Sequence, residues 1–476
     1  MNRKRTKIVA TISDRRCEPE FLRNLYEAGM DVVRINTAHQ DIEGTRRVIE
    51  NVRKVSDKIP FLLDTKGPEV RSTECDGNIL LSKGQDINII GDPGSKSTGE
   101  CLAVNYPGFA SDVPVGSTVL IDDGVLEMKV MSRDGKILRC TVMNDGPLGS
   151  RKSINVPNVK INLPSLSKKD KEYIRFAIDN DIDFIAHSFV RSAEDVLDIQ
   201  KILDQSGSDI KIIAKIENQQ GVDNLDEILD HAYGIMVARG DLAVEIPYER
   251  IPTITRRIIN KCIKRRKPVI VATQMLHSMI ENPRPTRAEV NDIASSIYSQ
   301  TDAIMLSGET AYGKYPVESV TIMNKVALEV EKNKIDFLDI PAGKLTGEVS
   351  AYLAKMAVKT ASKLSARCIV CDTIRGRSVR NMSSYRGNQL IIAQCYSSRS
   401  MRELALSYGV YASLQEKHNS ADKFISIALD DLTSQHNLED NDLIVVIAGN
   451  FSGGNGSSYI EIGSLEYLRA RGNDHY

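Results

Sequence analysis

Short runs rich in Ile and Val recur through the first two thirds of the chain, and each run ends in polar or charged residues. The eight runs are KIVATIS (7–13), VVRIN (32–36), FLLDT (61–65), FIAHSF (184–189), KIIAKIE (211–217), GIMVARGD (234–241), PVIVATQ (268–274) and AIMLSGET (303–310). Near-continuous apolar runs are typical of strands that are buried on both faces of a parallel sheet. Segments between them, such as 18–29 and 192–207, space their apolar residues as a helix does. Eight units of a strand followed by a helix predict an α/β fold of the (β/α)8 TIM barrel type.

The third and fourth runs are separated by residues 66–183, a segment too long for one crossover helix. Short alternating runs within it, punctuated by Gly, Asp and Pro, are typical of an inserted all-β domain. Beyond residue 345, strand-like and helix-like segments alternate again. We therefore expect three domains: a catalytic barrel over 1–67 and 161–345, an inserted β-barrel domain over 68–160 that acts as a mobile lid, and a C-terminal α/β domain over 346–476.

Composition narrows the functional classes. The length of 476 residues agrees with three domains at about 150 residues each. The net charge of -1 argues against a nucleic-acid-binding or membrane-surface protein. No apolar run approaches the ~20 residues of a membrane span, and the N-terminal run is too short for a signal peptide, so we expect a cytoplasmic protein. The eight cysteines are expected to be free thiols, including Cys368 and Cys371, which lie on one predicted strand.

The polar residues at the strand ends form a chemically coherent set, because a barrel of this kind gathers the carboxyl ends of its strands at one face. Carboxylates such as Asp64, Glu217 and Asp241 can bind a hard cation. The cations Arg34 and Lys215 suit a phosphate group. Any one of these residues is explained equally well as a helix cap or an ion pair, but their combination indicates phosphoryl transfer or enolate chemistry.

Several long segments resemble the pyruvate kinase family over nearly the whole chain. They are TKIVATI (6–12), DVVRIN (31–36), DTKGPEVR (64–71), IIAKIENQQG (212–221), IMVARGDLAVEIP (235–247), PVIVATQML (268–276), NPRPTRAEVNDIA (282–294) and IMLSGETAYGKYPVESV (304–320). The resemblance implies transfer of a phosphoryl group from phosphoenolpyruvate to ADP, which gives pyruvate and ATP in glycolysis. It also implies a homotetramer, with the domain arrangement described above.

The resemblance assigns two metal ions and their ligands. The implied ligands are Glu217 and Asp241 for Mg²⁺, and Asn36, Asp64 and the carbonyl of Thr65 for K⁺. Family members usually carry Ser where this chain has Ala38, so one oxygen of the K⁺ site is missing and a water is expected to replace it. Glu69 keeps the form that is typical of K⁺-dependent members, which argues for a K⁺ requirement.

The resemblance also implies substrate contacts. Lys215 would neutralise the transferring phosphoryl group, and Arg34 would anchor the phosphate. The substrate carboxylate would lie on the amides of Gly240 and Asp241, and Thr273 would lie near the face where the enolate is protonated. Three positions would face ADP: Arg71, His39 and Lys152. For Lys152, the residue pattern alone favours a solvated basic pair with Arg151.

In many relatives the C-terminal domain binds a phosphorylated effector. The matching loop here is TIRGRS (373–378), with Thr373, Arg375, Arg377 and Ser378 as candidate ligands of a sugar phosphate. A second Gly-rich loop, 450–458, would complete a phosphate site. Two solvated loops without a ligand are an equally good interpretation.

Two other functions compete with this hypothesis. Another phosphoenolpyruvate- or enolate-utilising barrel enzyme, such as a phosphotransfer dikinase, would need a phosphorylatable His loop, and no such motif occurs. A non-catalytic regulatory protein is opposed by the presence of Lys215, Glu217, Asp241 and Thr273.

Overall fold

The structure of the protein, a computed structural model, describes residues 3–333, 338, 340, 348–417, 420–435, 438–449 and 457–473. The chain begins with the first part of a barrel, in the order β1 (Lys7–Thr11), α1 (Pro19–Ala28), β2 (Val32–Asn36), α2 (Ile42–Arg53) and β3 (Phe61–Asp64). These elements coincide with the first three apolar runs and the helices predicted between them.

An all-β insertion follows β3. Its elements are β4 (Ile79–Leu81), β5 (Asp86–Gly91), β6 (Cys101–Val104), α3 (Phe109–Asp112), β7 (Thr118–Ile121), β8 (Leu126–Asp134), β9 (Ile137–Val142), β10 (Gly146–Leu148) and β11 (Ile154–Asn155). Six of the strands form one sheet, in the order β11-β7-β8-β9-β5-β6, and β10 pairs separately with β4. Closure of this domain into a barrel, and the limits 68 and 160, stay predictions.

The chain then returns to the barrel through α4 (Lys168–Asp179), β12 (Phe184–His187), α5 (Ala193–Gln205), β13 (Lys211–Ile216), α6 (Gln219–Asp223), α7 (Leu225–His231), β14 (Gly234–Ala238), α8 (Arg239–Glu245), α9 (Ile251–Arg265), β15 (Val269–Ala272), α10 (Arg287–Tyr298), β16 (Ala303–Leu306), α11 (Gly308–Ala311) and α12 (Pro316–Lys332). Short 3-10 turns lie at Tyr248–Arg250 and His277–Ile280.

Eight parallel strands close this barrel in the order β1-β16-β15-β14-β13-β12-β3-β2. Alternate residues of each strand face the barrel interior, where Leu62, Phe184 and Met236 share one apolar cluster. The residues between them, such as Ile185, pack against the surrounding helices. Burial on both faces explains the near-continuous apolar runs, and the predicted TIM barrel is confirmed.

The C-terminal domain comprises α13 (Glu348–Lys363), β17 (Cys368–Thr373), α14 (Arg377–Ser384), β18 (Leu390–Cys395), α15 (Ser398–Leu404), β19 (Val410–Leu414), α16 (Ala421–Gln435), β20 (Leu443–Gly449), β21 (Ser457–Ser464) and α17 (Leu465–Asn473). Its sheet has the order β19-β18-β17-β20-β21, and only β21 runs antiparallel to its neighbour. Cys368 and Cys371 are buried free thiols on β17, as predicted. The predicted boundary between residues 345 and 346 lies outside the described residues.

Two side chains of the barrel hold the segments in which the chain leaves the barrel for the inserted domain and returns from it. Asp170 caps α4 and also accepts hydrogen bonds from the amides of Lys66 and Gly67, at 3.0 and 3.3 Å. Arg191 donates to the carbonyl oxygens of Ile161 and Leu163, at 3.2 and 3.0 Å. The outgoing and returning segments are thus anchored to the barrel close to its carboxyl-end face.

Candidate active site at the carboxyl ends of the barrel strands

Barrel closure brings Arg34, Asp64 and Lys215 into one buried cluster, although they lie far apart along the chain. Arg34 lies on β2, where it pairs with Thr11 of β1 and Leu62 of β3, and its Nε donates to Asp64 Oδ2 at 2.7 Å. The Lys215 Nζ lies 3.2 Å from the other carboxylate oxygen, Oδ1. Asp64 therefore bridges the two cations that were predicted to bind phosphate.

Glu217 lies on the same side of β13 as Lys215, because side chains two residues apart on a strand share a face. Its Oε1 is 3.0 Å from Lys215 Nζ, and its Oε2 accepts the amide of Phe189 at 2.7 Å. Burial raises the pKa of Glu217 above its ordinary value, and the nearby Asp241 carboxylate adds to this effect while Lys215 opposes it. The two predicted Mg²⁺ ligands thus lie within electrostatic range of each other.

The charges in this cluster stabilise one another. Burial by itself would raise the pKa of Asp64, but Lys215 and Arg34 outweigh burial and hold that pKa below its ordinary value. Burial would likewise lower the pKa of Lys215, whereas Asp64 and Glu217 raise it above its ordinary value. Lys215 is therefore a fixed positive charge at the mouth of the barrel.

Thr273 follows β15 in a strained backbone conformation, with φ at +71°. A positive φ is rare for a β-branched residue and persists only where its surroundings impose it. Here the Gly240 amide donates to Thr273 Oγ1 at 2.7 Å, and the guanidinium of Arg239 donates to the Thr273 carbonyl at 2.8 Å. The start of α8 and the end of β15 are thereby locked together beside Asp241.

The predicted K⁺ ligands lie on adjacent strands. Asn36 and Asp64 are partners in the register of β2 and β3, and the Asn36 Oδ1 accepts the amide of Ala38 at 3.0 Å. The Thr65 carbonyl accepts the hydroxyl of Ser188 at 2.7 Å. The structure brings these oxygen donors to one edge of the barrel, and Ala38 adds no side-chain oxygen.

The residues predicted to face ADP are only partly assembled. His39 lies near Arg34 and Arg71: its pKa is lowered mainly by burial and then by these two positive charges. Arg71 contacts Glu69 and the Arg151 carbonyl, each at 2.8 Å. Lys152 instead forms an ion pair with Asp122 inside the inserted domain, with Nζ and Oδ2 2.8 Å apart.

The candidate effector loop lies at the end of β17. Thr373 is buried and its Oγ1 accepts the Gly376 amide at 2.9 Å, while Arg377 begins α14. The Ser378 hydroxyl is 2.9 Å from that of Ser457, the first residue of β21. The second candidate loop, 450–458, lies outside the described residues except for its last two positions.

Three functional neighbours were not predicted from the sequence. Thr11 accepts a hydrogen bond from Arg34 at 2.9 Å, Phe189 holds Glu217 through its amide, and Ser188 contacts Lys215. The only sequence signal for Ser188 and Phe189 is that they end the fourth apolar run, FIAHSF (184–189), and many other residues end such runs.

The oxygen atoms of the candidate site suit the Mg²⁺ and K⁺ ions that are predicted to bind there. Within the described ranges, no group of three or more His, Cys, Asp or Glu residues is placed to hold a metal ion. A pair such as Glu217 and Asp241 nevertheless fits Mg²⁺, which is commonly bound by one or two carboxylates together with substrate oxygens. Carboxylate, amide and carbonyl oxygens of the kind found at Asp64, Asn36 and Thr65 suit a hard monovalent cation.

Comparisons with known proteins point to the same family in both the barrel and the C-terminal domain. A family model described as "Pyruvate kinase, barrel domain" matches residues 3–320, and one described as "Pyruvate kinase, alpha/beta domain" matches residues 352–461. The chain is 47% identical to a pyruvate kinase of Borreliella burgdorferi, over 97% of this chain and 98% of the relative. It is 42% identical to one of Bacillus licheniformis, over 94% of this chain and 78% of the relative.

A solved structure shows the same similarity in three dimensions. A pyruvate kinase from Cryptosporidium parvum superposes with a TM-score of 0.90 at 34% identity, covering 98% of this chain and 96% of that one. Among the described helices, none is both long and apolar enough to cross a membrane.

Proposed function

The chain belongs to the pyruvate kinase family, and from that premise we propose how its residues transfer the phosphoryl group of phosphoenolpyruvate to ADP. The observation that carries the proposal is the buried cluster in which Lys215 lies 3.2 Å from Asp64 and 3.0 Å from Glu217. This cluster holds a permanent positive charge where a phosphoryl group in transfer develops negative charge. Preorganised charge of this kind lowers the barrier because little reorganisation is needed during the reaction.

Arg34 would hold the substrate phosphate. Its Nε and NH1 groups are engaged by Asp64 and Thr11, which fixes the plane of the guanidinium. Within the part of the chain that the structure describes, its NH2 group donates no hydrogen bond and is the group available to the phosphate. A guanidinium held in this way orients its ligand as well as attracting it.

The substrate carboxylate would bind at the start of α8. The Gly240 amide is directed at Thr273 Oγ1 in the structure, so substrate binding would exchange this hydrogen bond for one to the carboxylate. The Thr273 hydroxyl donates to the Ala272 carbonyl at 2.6 Å. In the proposed complex this hydroxyl would lie near the face where the enolate receives its proton.

Glu217 and Asp241 would hold Mg²⁺, and Asn36, Asp64 and the Thr65 carbonyl would hold K⁺. When bound, these ions would supply positive charge to the enolate and phosphoryl oxygens. The family generally uses both ions, and the oxygen donors of this chain fit them. The nucleotide would contact Arg71, His39 and Lys152, provided that Lys152 leaves its ion pair with Asp122.

Three further features belong to the proposal. A sugar phosphate would bind Thr373, Arg375, Arg377 and Ser378. The protein would act in the cytoplasm, and it would assemble as a homotetramer. The effector is tested by measuring substrate saturation curves and melting temperatures with a panel of sugar phosphates; if no member moves either one, the loop binds none of them.

The catalytic assignment is tested by Lys215→Met. We expect kcat to fall at least about a hundredfold, as when a transition-state charge partner is removed, while Mn²⁺ binding to the free protein survives. The matched control is Lys211→Met, at the other end of β13, where the ammonium is 3.7 Å from Glu403; its kcat should change little. An unchanged kcat in Lys215→Met would exclude Lys215 from the mechanism.

A further inference from the structure

Ser188 lies where three proposed site residues meet. It directly follows β12 and is 2% exposed. Its Oγ is 2.7 Å from Lys215 Nζ, 2.7 Å from the Thr65 carbonyl oxygen and 3.2 Å from Asp64 Oδ1. A buried hydroxyl in contact with two charged side chains and a backbone carbonyl is an integral part of this cluster.

The number of available protons fixes the direction of these hydrogen bonds. A hydroxyl has one proton to donate and an ammonium has three, with no acceptor capacity. The Ser188 proton therefore goes to Thr65 or Asp64, and Ser188 accepts from Lys215. The ammonium has one neutral acceptor, Ser188, and two charged ones, the carboxylates of Asp64 and Glu217.

The two charged acceptors are the residues to which the proposed function gives cations. Once cations share those carboxylates, Ser188 is the acceptor of Lys215 in this cluster that no cation competes for. We propose that Ser188 is a positioning residue that holds the Lys215 ammonium in place when Glu217 and Asp64 are engaged by Mg²⁺ and K⁺. This inference rests on the proposed metal ligands.

The surroundings of Ser188 are suited to this role because they leave it little freedom. Its amide donates to Thr65 Oγ1 at 3.1 Å, which ties it to the end of β3. Gly67, with φ at +70°, packs so closely that a Cβ there would lie 2.8 Å from the Cβ of Ser188. The next residue, Phe189, has a left-handed backbone with φ at +57° and holds Glu217 by its amide. Consecutive residues thus hold Lys215 and Glu217.

The test is Ser188→Ala, with Mn²⁺ in a K⁺ buffer as the probe and the free Mn²⁺ signal in electron paramagnetic resonance as the readout. Without metal, the ammonium keeps two carboxylates and the variant should fold normally. With Mn²⁺ on Glu217 and K⁺ on Asp64, the ammonium in the variant has no neutral acceptor left in this cluster, so we expect Mn²⁺ to bind about tenfold more weakly than to the unsubstituted protein. We expect kcat to fall about 10- to 100-fold, with the KM for ADP unchanged.

The matched control is Ser319→Ala, which removes an equally buried hydroxyl whose Oγ donates to the Tyr315 carbonyl at 2.7 Å, away from the site. Its Mn²⁺ affinity and kcat should stay within twofold of the unsubstituted protein. If Ser188→Ala unfolds, Ser188→Cys keeps the volume but offers a weak acceptor, and the same two effects are expected at smaller size.

A third variant separates this inference from the proposed function. Glu217→Gln should lose Mn²⁺ binding, and if it does not, the proposed metal site is wrong. If Glu217→Gln loses Mn²⁺ binding while Ser188→Ala matches Ser319→Ala in both readouts, the role of Ser188 is overturned and the metal site stands.

Discussion

At the scale of single residues, close partners decide whether a buried side chain carries a charge. Asp64 is 1% exposed, yet it stays ionised because Arg34 and Lys215 contact its two oxygens. His187 is the opposite case: it is 1% exposed, and neither ring nitrogen has a hydrogen-bond partner among the described residues. Burial lowers the pKa of His187 from 6.5 to about 4; Arg191 and Lys215 act in the same direction, whereas Asp195 and Asp170 oppose it.

The low pKa of His187 predicts a loss of stability in mild acid. Between pH 6.5 and 4 the unfolded chain binds a proton that the folded protein excludes, so the free energy of unfolding falls as the pH falls. In His187→Leu this contribution is absent. From pH 7 to 5, the unsubstituted protein should lose about 2 kcal/mol more than the variant, as measured by urea unfolding followed by circular dichroism. Equal losses would show that His187 does not titrate in this way.

At the scale of elements, the short helix α8 connects the active site to the inserted domain. Its first turn contains Gly240 and Asp241, and its last residue, Glu245, accepts a hydrogen bond from Asn155 of β11 at 3.3 Å. Burial raises the pKa of Glu245, and the bond to Asn155 opposes that effect. This contact joins the inserted domain to the helix that would hold substrate and metal.

Removing this contact should loosen both elements. In Asn155→Ala we expect faster hydrogen exchange in a peptide covering α8, because its last residue loses a tether. We also expect the KM for ADP to rise a few-fold, since the inserted domain carries Arg71 and Lys152, which we propose contact the nucleotide. Asn144→Ala is the matched control, because among the described residues the Asn144 side chain bonds within the inserted domain alone, to Val125, Glu127 and Asp145. Identical exchange in the two variants would contradict the coupling.

At the scale of the whole molecule, the C-terminal domain docks on the amino ends of the barrel strands through buried ion pairs. Arg386 forms a bidentate pair with Asp302, at 2.9 and 2.6 Å, directly before β16. Arg402 contacts Asp183 at 2.6 Å, directly before β12. Asp302 also accepts the amide of Tyr408. These contacts of the described residues thus lie at the end of the barrel opposite the candidate active site.

Breaking the first of these pairs should destabilise the docked molecule. Asp302→Asn leaves Arg386 buried beside a neutral partner, which typically costs about 3–5 kcal/mol. The melting temperature should therefore drop clearly. Asp226→Asn is the control: its ion pair with Lys261 is 2.6 Å long but lies at the surface, and such pairs contribute about 0–1 kcal/mol. Equal shifts in the two variants would mean that the buried pair does not hold the domains together.

Much of the fold could be predicted because each strand and helix leaves a recognisable pattern in a short stretch of sequence. The runs that became β2 and β13 were recognisable from their Ile and Val content, and Arg34, Lys215 and Glu217 from their places at strand ends. The resemblance added roles that spacing could not supply. Ser188 and the pairing of Lys152 with Asp122 could not be predicted, because both depend on contacts between segments distant in the chain.

The sequence by itself determined the order of strands and helices, and with it which residues stand at the carboxyl end of each barrel strand, because apolar periodicity and turn residues act over a few positions. Tertiary structure decided which of those residues touch. Ser188 meets Lys215 and Thr65 only after β12 pairs with both β3 and β13, since closure of the barrel sets a register that brings Ser188 to Lys215, 27 residues away, and to Thr65, 123 residues away.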